Sequence, residues 1–347
     1  MFSSTKFNFI IPIISVLLGL AAGAIIMLIF GYNPILGYQA LWNGVFDSPF
    51  FMSETVNRIT PYILTGLAIA FAFRTGLFNI GAEGQVLVGW VAAVWVGTAV
   101  DAPAFIHLPL ALLAAAAAGA LWAFVPGILK AKLGVHEVIV SIMMNYIALH
   151  VTNYLIRFVL TDNQETTEPV KQSASLTNDF LIGLTGSRLH LGFIVALLMV
   201  LVMWIILERT KLGYELKAVG YNQHASNYAG MKVGRNIVVS MLISGLFAGL
   251  AGAMQGLGSF GNAFTNTAFS NLGFDGIAVA LLGGNNPFGV VLSASLFGFL
   301  KVGSLNMSSA GVPNEIIEIV IALIILFVAS GFIIRWALLQ LKKGEKK

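Results

Sequence analysis

The chain has 347 residues, of which 58% are hydrophobic and 10% charged, with a formal net charge of +4 and no cysteine. A soluble domain carries about a quarter charged residues, so a water-soluble protein of this length could not hide this much apolar side chain; the composition is that of a polytopic membrane protein. The missing cysteines exclude disulfide frameworks, thiolate catalysis and Cys-ligated metals.

Crossing the hydrocarbon core takes about 20 apolar residues as a helix, and such stretches recur along the chain. Phe9–Phe30 is longer than a signal-peptide core, with no small-residue cleavage site after it, and reads as a retained first span. Thr55–Phe73, Leu77–Val100, Leu108–Leu129, Glu137–Leu160, Leu189–Leu207 and Ile237–Leu257 follow. Leu272–Ser304 is long enough for two passes, the first of them short, and is interrupted by "GGNNPFG" at Gly283–Gly289; Glu315–Trp336 comes last. The expected fold is all-α, a single membrane domain over residues 1–347 with about ten transmembrane helices.

Lys and Arg near span ends favour the cytoplasm. With the N-terminus inside, fourteen fall inside, among them Lys6, Arg74, Lys130, Lys217, Arg335, Lys342, Lys343, Lys346 and Lys347, against five outside (Arg58, Arg157, Lys171, Arg188, Lys301). Both termini are therefore expected in the cytoplasm. Two connections are long: 161–188, expected outside and acid-bearing (Asp162, Glu165, Glu168, Asp179), and 208–235, expected inside and basic.

"NIGAEG" at Asn79–Gly84 is echoed by "NLGFDG" at Asn271–Gly276, and "GVHEVI" at Gly134–Ile139 by "GVPNEII" at Gly311–Ile317. The pairs fall at the starts of spans three and eight, then five and ten. A repeated unit of five spans has odd length, so the copies (about 9–160 and 189–336) are expected to be inverted, the arrangement in which Gly-interrupted helices point to a transporter's central pathway. Asn79 is a good helix N-cap, and Glu83 one turn on suits the helix dipole. Intramembrane ionisable groups are also usually functional, so Asn79, Glu83 and Gln85 are expected on a solute path, with Asn271 and Asp275 as inverted counterparts. The capping and pathway roles are compatible.

The loop "ERTKLGYELKAVGYNQHASNYAGMKVGRN" shows two short helical pieces, one bracketed by Gly213 and Gly220, the other (Gln223–Ala229) by Asn222 as cap and Gly230 as stop. Small Ala225, Ser226 and Ala229 would let the second piece seat closely in a partner's groove. Here the chain resembles the permease subunits of ATP-driven (ABC) importers of the branched-chain amino acid and ribose type. "GLFNIGAEGQ" and "GVHEVIVSIMMNYIA" (Gly134–Ala148, containing Asn145) are similar to its nucleoside and simple-sugar branch. Leu212–Gly230 resembles that family's ATPase-coupling motif through Gly213, Ala218, Val219, Gly220, Asn222, Ala225, Ala229 and Gly230, with Ser226 where a second alanine is common.

The resemblance implies a non-enzymatic permease of the bacterial cell membrane, most simply for nucleosides, with sugars or branched-chain amino acids as alternatives. It adds Asn145 to the path and implies three partners: a cytoplasmic ATPase, a second permease subunit and an extracellular solute-binding lipoprotein. An ion-coupled secondary carrier using Glu83 and Asp275 is the competing reading. No P-loop is present, and "GLGSFG" at Gly256–Gly261 follows a membrane helix, so it is not a dinucleotide fingerprint. The histidines (His107, His136, His150, His190, His224) lack metal spacing and are expected at the membrane interface. Met143 and Met144 are expected to pack. Lys342–Lys347 favours anionic lipid, and nothing implies a cofactor, a metal or nucleic acid.

Overall fold

A computed structural model describes residues 4–330. Among these the chain is helical: α1 Ser4–Ile29, α2 Pro34–Phe46, α3 Pro49–Arg74, α4 Ala82–Ala99, α5 Ala104–Leu133, α6 Glu137–Leu155, α7 Asp179–Thr185, α8 Gly192–Arg209, α9 Lys211–Tyr221, α10 Gln223–Tyr228, α11 Val233–Ala253, α12 Leu272–Leu282, α13 Pro287–Ser309 and α14 Asn314–Ala329. α6 and α11 each run on into a wider π turn, Ile156–Leu160 and Met254–Ser259. The expected end of the last span at Trp336, together with Arg335, Lys342, Lys343, Lys346 and Lys347, lies outside the described residues.

Among the described residues six helices are long and apolar enough to cross a membrane: α3, α5, α8, α13, and α6 and α11 with their π extensions. The described part of α1 (Ile14–Ile29) and α12 are shorter apolar helices. At 1.5 Å per residue, α12 is only about 16 Å long, half of the hydrocarbon thickness. α4 starts five residues later than expected, because the chain from Thr75 to Gly81 turns instead of continuing as helix. The interruption before α13 is real: Gly284 (φ +61°) and Asn285 (φ +53°) both take the left-handed conformation that ends α12. α2 has no counterpart among the expected spans; Asn33 caps it, its Oδ1 accepting from the Ile35 amide at 2.9 Å, and Pro34 opens it.

The described residues divide into two compact units, one of residues 4–52 and 299–330, the other of residues 53–298. In the first, α1 packs on α14 with Gly19 against Ile324, and Tyr38 on α2 donates its hydroxyl to the Leu20 carbonyl at 2.6 Å. The second holds every candidate functional residue. Within it α3 and α11 are mostly enclosed, whereas α5 and α8 bury only 28% of their apolar windows. Helices α4, α5 and α11 meet along glycines. A methyl group at Gly89 would lie 2.5 Å from the Gly249 Cα, and one at Gly119 2.7 Å from the same atom. Lipid offers no hydrophobic drive for helices to associate, so such close backbone approach supplies the packing.

The segment 161–188 lies along the chain that follows α11: Thr167 and Val170 donate backbone amides to Ala263 and Gly261, both at 2.8 Å, and Leu176 to Leu257 at 2.9 Å. Two of the histidines near span ends are buried within the protein. His107 contacts Ser173 Oγ at 2.7 Å and the Val96 carbonyl at 3.0 Å. His190 accepts from the Gly192 amide at 3.2 Å, and burial pushes its imidazole down to about 4.

The glycine seam makes a direct prediction. Gly249→Leu should eliminate monodisperse, detergent-extracted protein, because a branched side chain there meets the α5 backbone. Gly183→Leu on α7, where no atom lies within 4 Å of an added Cβ, should leave the size-exclusion profile unchanged. Equal profiles for the two variants would mean the seam does not hold these helices.

Candidate functional site

The non-helical stretch before α4 sits on a buried polar network. Asn79 Oδ1 accepts from the Gly81 amide and from Gln85 Nε2, both at 3.0 Å. Asn79 Nδ2 donates to Gln85 Oε1 at 2.9 Å and to Ser244 Oγ at 2.7 Å, and the Ser244 hydroxyl in turn donates to the Ala68 carbonyl at 2.6 Å. The two amide side chains thus pin the start of α4 to α11 and α3. Asn79 is not the cap of α4, contrary to expectation. The residue at the cap position is Gly81, which has no side chain. The cap comes from α6, where Asn145 Oδ1 accepts from the Gly84 amide at 2.9 Å and Nδ2 donates to the Ile80 carbonyl at 3.0 Å.

Glu83 does the same for a different helix. α12 opens at Asn271, which stands at φ +63° and makes no side-chain cap bond. The carboxyl of Glu83, fully buried, supplies the missing acceptors: Oε2 takes the Gly273 amide at 2.6 Å and Oε1 the Ser270 hydroxyl at 2.8 Å. A helix N-terminus leaves amides unpaired and favours negative charge, so the acid meets both needs of α12. Gly273 permits the contact, since a methyl group there would strike the Glu83 backbone. The two echoed motifs therefore touch, but they are not equivalent. Asp275, the counterpart of Glu83, accepts from the Tyr62 hydroxyl at 3.0 Å.

The structure thus joins Asn79, Gln85 and Asn145 around the start of α4 and places Glu83 against α12, all four buried. Asn271 is exposed and Asp275 half-buried. Tyr62, Ser244 and Ser270, which complete the network, carried no sequence signal of their own except Ser270, whose position just ahead of a helix suits a capping residue.

Farther along α6, the Asn153 side chain clamps the backbone of Asn266, donating to its carbonyl at 2.8 Å and accepting from its amide at 2.9 Å. A cavity of about 520 Å³ opens beside this clamp, walled by His150, Tyr154, Phe158, Thr265 and Thr267 and rimmed by the Arg157–Glu165 ion pair.

The 208–235 connection folds as α9 and α10. Gly213 and Gly220 lie inside α9 instead of bracketing it. Both are contact points: a Cβ on Gly213 would run into the Ile206 carbonyl at the end of α8, and one on Gly220 into the Arg74 carbonyl. Asn222 caps α10 as expected, its Oδ1 accepting from the Ala225 amide at 3.0 Å, and Gly230 (φ +82°) ends the turn. Ala218 is half-buried, and Ala225 and Ala229 face outward. Ser226 is buried against its own chain, so it does not belong to the outward set. Tyr221 and Tyr228, 90% and 95% exposed, stand beside the two alanines.

Residues 51–329 match the family described as branched-chain amino acid transport system / permease component. The chain is similar to the guanosine ABC transporter permease protein NupP of Bacillus subtilis, 64% identical over 97% of each chain. It is 41% identical to the nucleoside ABC transporter permease protein NupB of Lactococcus lactis, over 97% of this chain and 98% of that one. With the glucose ABC transporter permease protein TsgB13 of Haloferax volcanii the identity is 36%, over 92% and 87%. No solved structure matches.

Removing acceptors from the α12 terminus should cost about 1–3 kcal/mol for a buried unpaired donor. Glu83→Leu is therefore expected to lower the thermal midpoint of the purified protein and the amount reaching the membrane. Glu83→Gln, which keeps one acceptor oxygen, should lose less. A midpoint unchanged in Glu83→Leu would show that α12 does not depend on this cap.

Proposed function

We propose a function from one premise: this chain belongs to the family of branched-chain amino acid transport system permease components. It is a multi-pass membrane protein, the permease subunit of a nucleoside ABC importer, and not itself an enzyme. The observation that carries this is 64% identity over nearly the whole chain to a guanosine permease. The more distant glucose permease makes simple sugars the alternative class.

Within that function the chain is a single permease domain of ten spans in two inverted repeats, about 9–160 and 189–336, with both termini cytoplasmic. Supporting this reading, Gly134 (φ +65°) and Gly311 (φ +87°) each make a left-handed turn three residues before a helix, at Glu137 and Asn314. The matching motifs thus make matching local turns. Segment 161–188 faces outward and 208–235 faces the cytoplasm. Asn79, Glu83, Gln85 and Asn145 shape the solute path by fixing the helices around it, and Asn271 and Asp275 belong to the same path where α12 begins. The nucleoside approaches beside Tyr154 and Asn266, where aromatic rings and hydroxyls suit a base and a ribose.

The coupling element is α9–α10. Gly213, Ala218 and Gly220 seat α9 on its own chain. Asn222, Ser226 and Gly230 hold the shape of α10, and Ala225 and Ala229 present the contact to a cytoplasmic ATPase. A second permease subunit and a solute-binding lipoprotein complete the assembly.

Two measurements test this. Cells lacking the chain should lose uptake of labelled guanosine and retain leucine and glucose uptake; loss of glucose or leucine uptake with guanosine uptake intact would overturn the solute assignment. Ala225→Trp and Ala229→Trp should abolish solute-stimulated ATP hydrolysis by the purified complex while the permease stays folded. Phe180→Trp on exposed α7 should hydrolyse ATP as the parent does. Parental hydrolysis in both alanine variants would remove α10 from the coupling role.

A further inference from the structure

Arg74, at the end of α3, stands where three elements meet. Its Nε donates to the carbonyl of Asn285, in the left-handed turn that closes α12, at 2.9 Å. Its own carbonyl is the atom against which Gly220 of α9 packs, and the turn that follows, at Gly76 (φ +73°), also lies against Gly220. A cavity of about 230 Å³ beside it is walled by Arg74, Lys217, Gly220, Tyr221 and Asn285. Lys217 is paired with Glu208 at 3.0 Å, so Arg74 is the cation that reaches the α12 turn. At its far end, α12 is held by Glu83.

We propose that Arg74 is a positioning residue that couples the α9–α10 element to α12, so that α12 moves when the ATPase displaces α9. This rests on the permease function proposed above. The physical basis is contact without slack. Backbone meets backbone at Gly220, leaving nothing to compress between α9 and the Arg74 carbonyl. The Arg74 side chain then carries the same displacement to the α12 turn through one directional bond. α12 is short, and its ends are tied by polar bonds to α3 and α4, so it can shift as a rigid piece. Arg and Lys differ here: the guanidinium offers donors in a fixed planar fork, whereas the ammonium is a mobile point charge. Arg74→Lys therefore keeps the cation at the membrane edge and removes the directional link.

The test uses the complete importer in proteoliposomes, with guanosine as solute. The chain has no cysteine, so nitroxide labels can be placed at Leu281→Cys on α12 and Leu121→Cys on α5, both exposed. In the parent, ATP should change the distance between the labels. In Arg74→Lys and Arg74→Gln the change should vanish, with ATP hydrolysis near the parental rate and guanosine moved per ATP reduced about fivefold or more, the scale of a typical coupling energy. Should the glutamine variant not reach the membrane, the lysine variant decides. An unaltered ATP-dependent distance and unaltered guanosine per ATP in Arg74→Lys would overturn the proposal, as would a parent in which ATP leaves the distance unchanged. A parent that moves glucose instead of guanosine, with the distance change intact and dependent on Arg74, would sink the nucleoside assignment and leave the relay standing.

Discussion

A carboxyl group inside a membrane protein needs partners, because the hydrocarbon offers none and an unpaired buried polar group costs several kcal/mol. Glu83 finds them at the N-terminus of α12, on the Gly273 amide and the Ser270 hydroxyl. The same bond solves a second problem, since α12 begins at a left-handed asparagine that cannot cap it. Two costs cancel at one contact. The contact requires α4 to start where it does, and that start is set by Asn79 and Gln85 at its own beginning and by Asn145 from α6. It also requires a glycine at 273, because the backbones of α4 and α12 approach too closely for a side chain. Much of the second unit is organised around a polar joint in an apolar surrounding.

That joint relates to transport through its geometry. A helix of eleven residues reaches through only about half of the hydrocarbon thickness, and it is tied to its neighbours by polar bonds at both ends. Its N-terminal tie reaches α4 and its C-terminal tie reaches α3, beside the surface on which α9 is seated. Packed interfaces tend to have discrete arrangements, so a short, doubly tied helix is a natural element to move between two of them. The close glycine contacts of α9 make the opposite contribution, since they leave little compliance between α9 and the backbones of α8 and α3 on which it packs.

What the sequence could disclose followed the range of each interaction. The α10 cap at Asn222 and stop at Gly230 were legible because capping is local, and so was the break at 283–286, where glycine and asparagine adopt left-handed turns. The role of Asn79 was misplaced because the actual cap of α4 comes from Asn145, 61 residues beyond Gly84. Glu83 stands out in the sequence as an acid within an apolar run, but its partner amide lies 190 residues away, and no periodicity encodes such a pairing. Asn33 and Pro34 are a proper helix start for α2, but its thirteen residues are too few to stand out as a membrane-length stretch. Ser226 looks in sequence like its exposed neighbours because spacing alone does not say which side of a six-residue helix meets the rest of the chain.

The claim on which the account depends is that Glu83 holds the first turn of α12. Amide hydrogen exchange of the purified protein, followed by mass spectrometry on peptides covering residues 270–276, reads that turn directly. In the parent these amides should exchange slowly, and in Glu83→Gln they should exchange faster while peptides from α5 remain as protected as before. Equal protection of the 270–276 peptides in parent and Glu83→Gln would contradict the account.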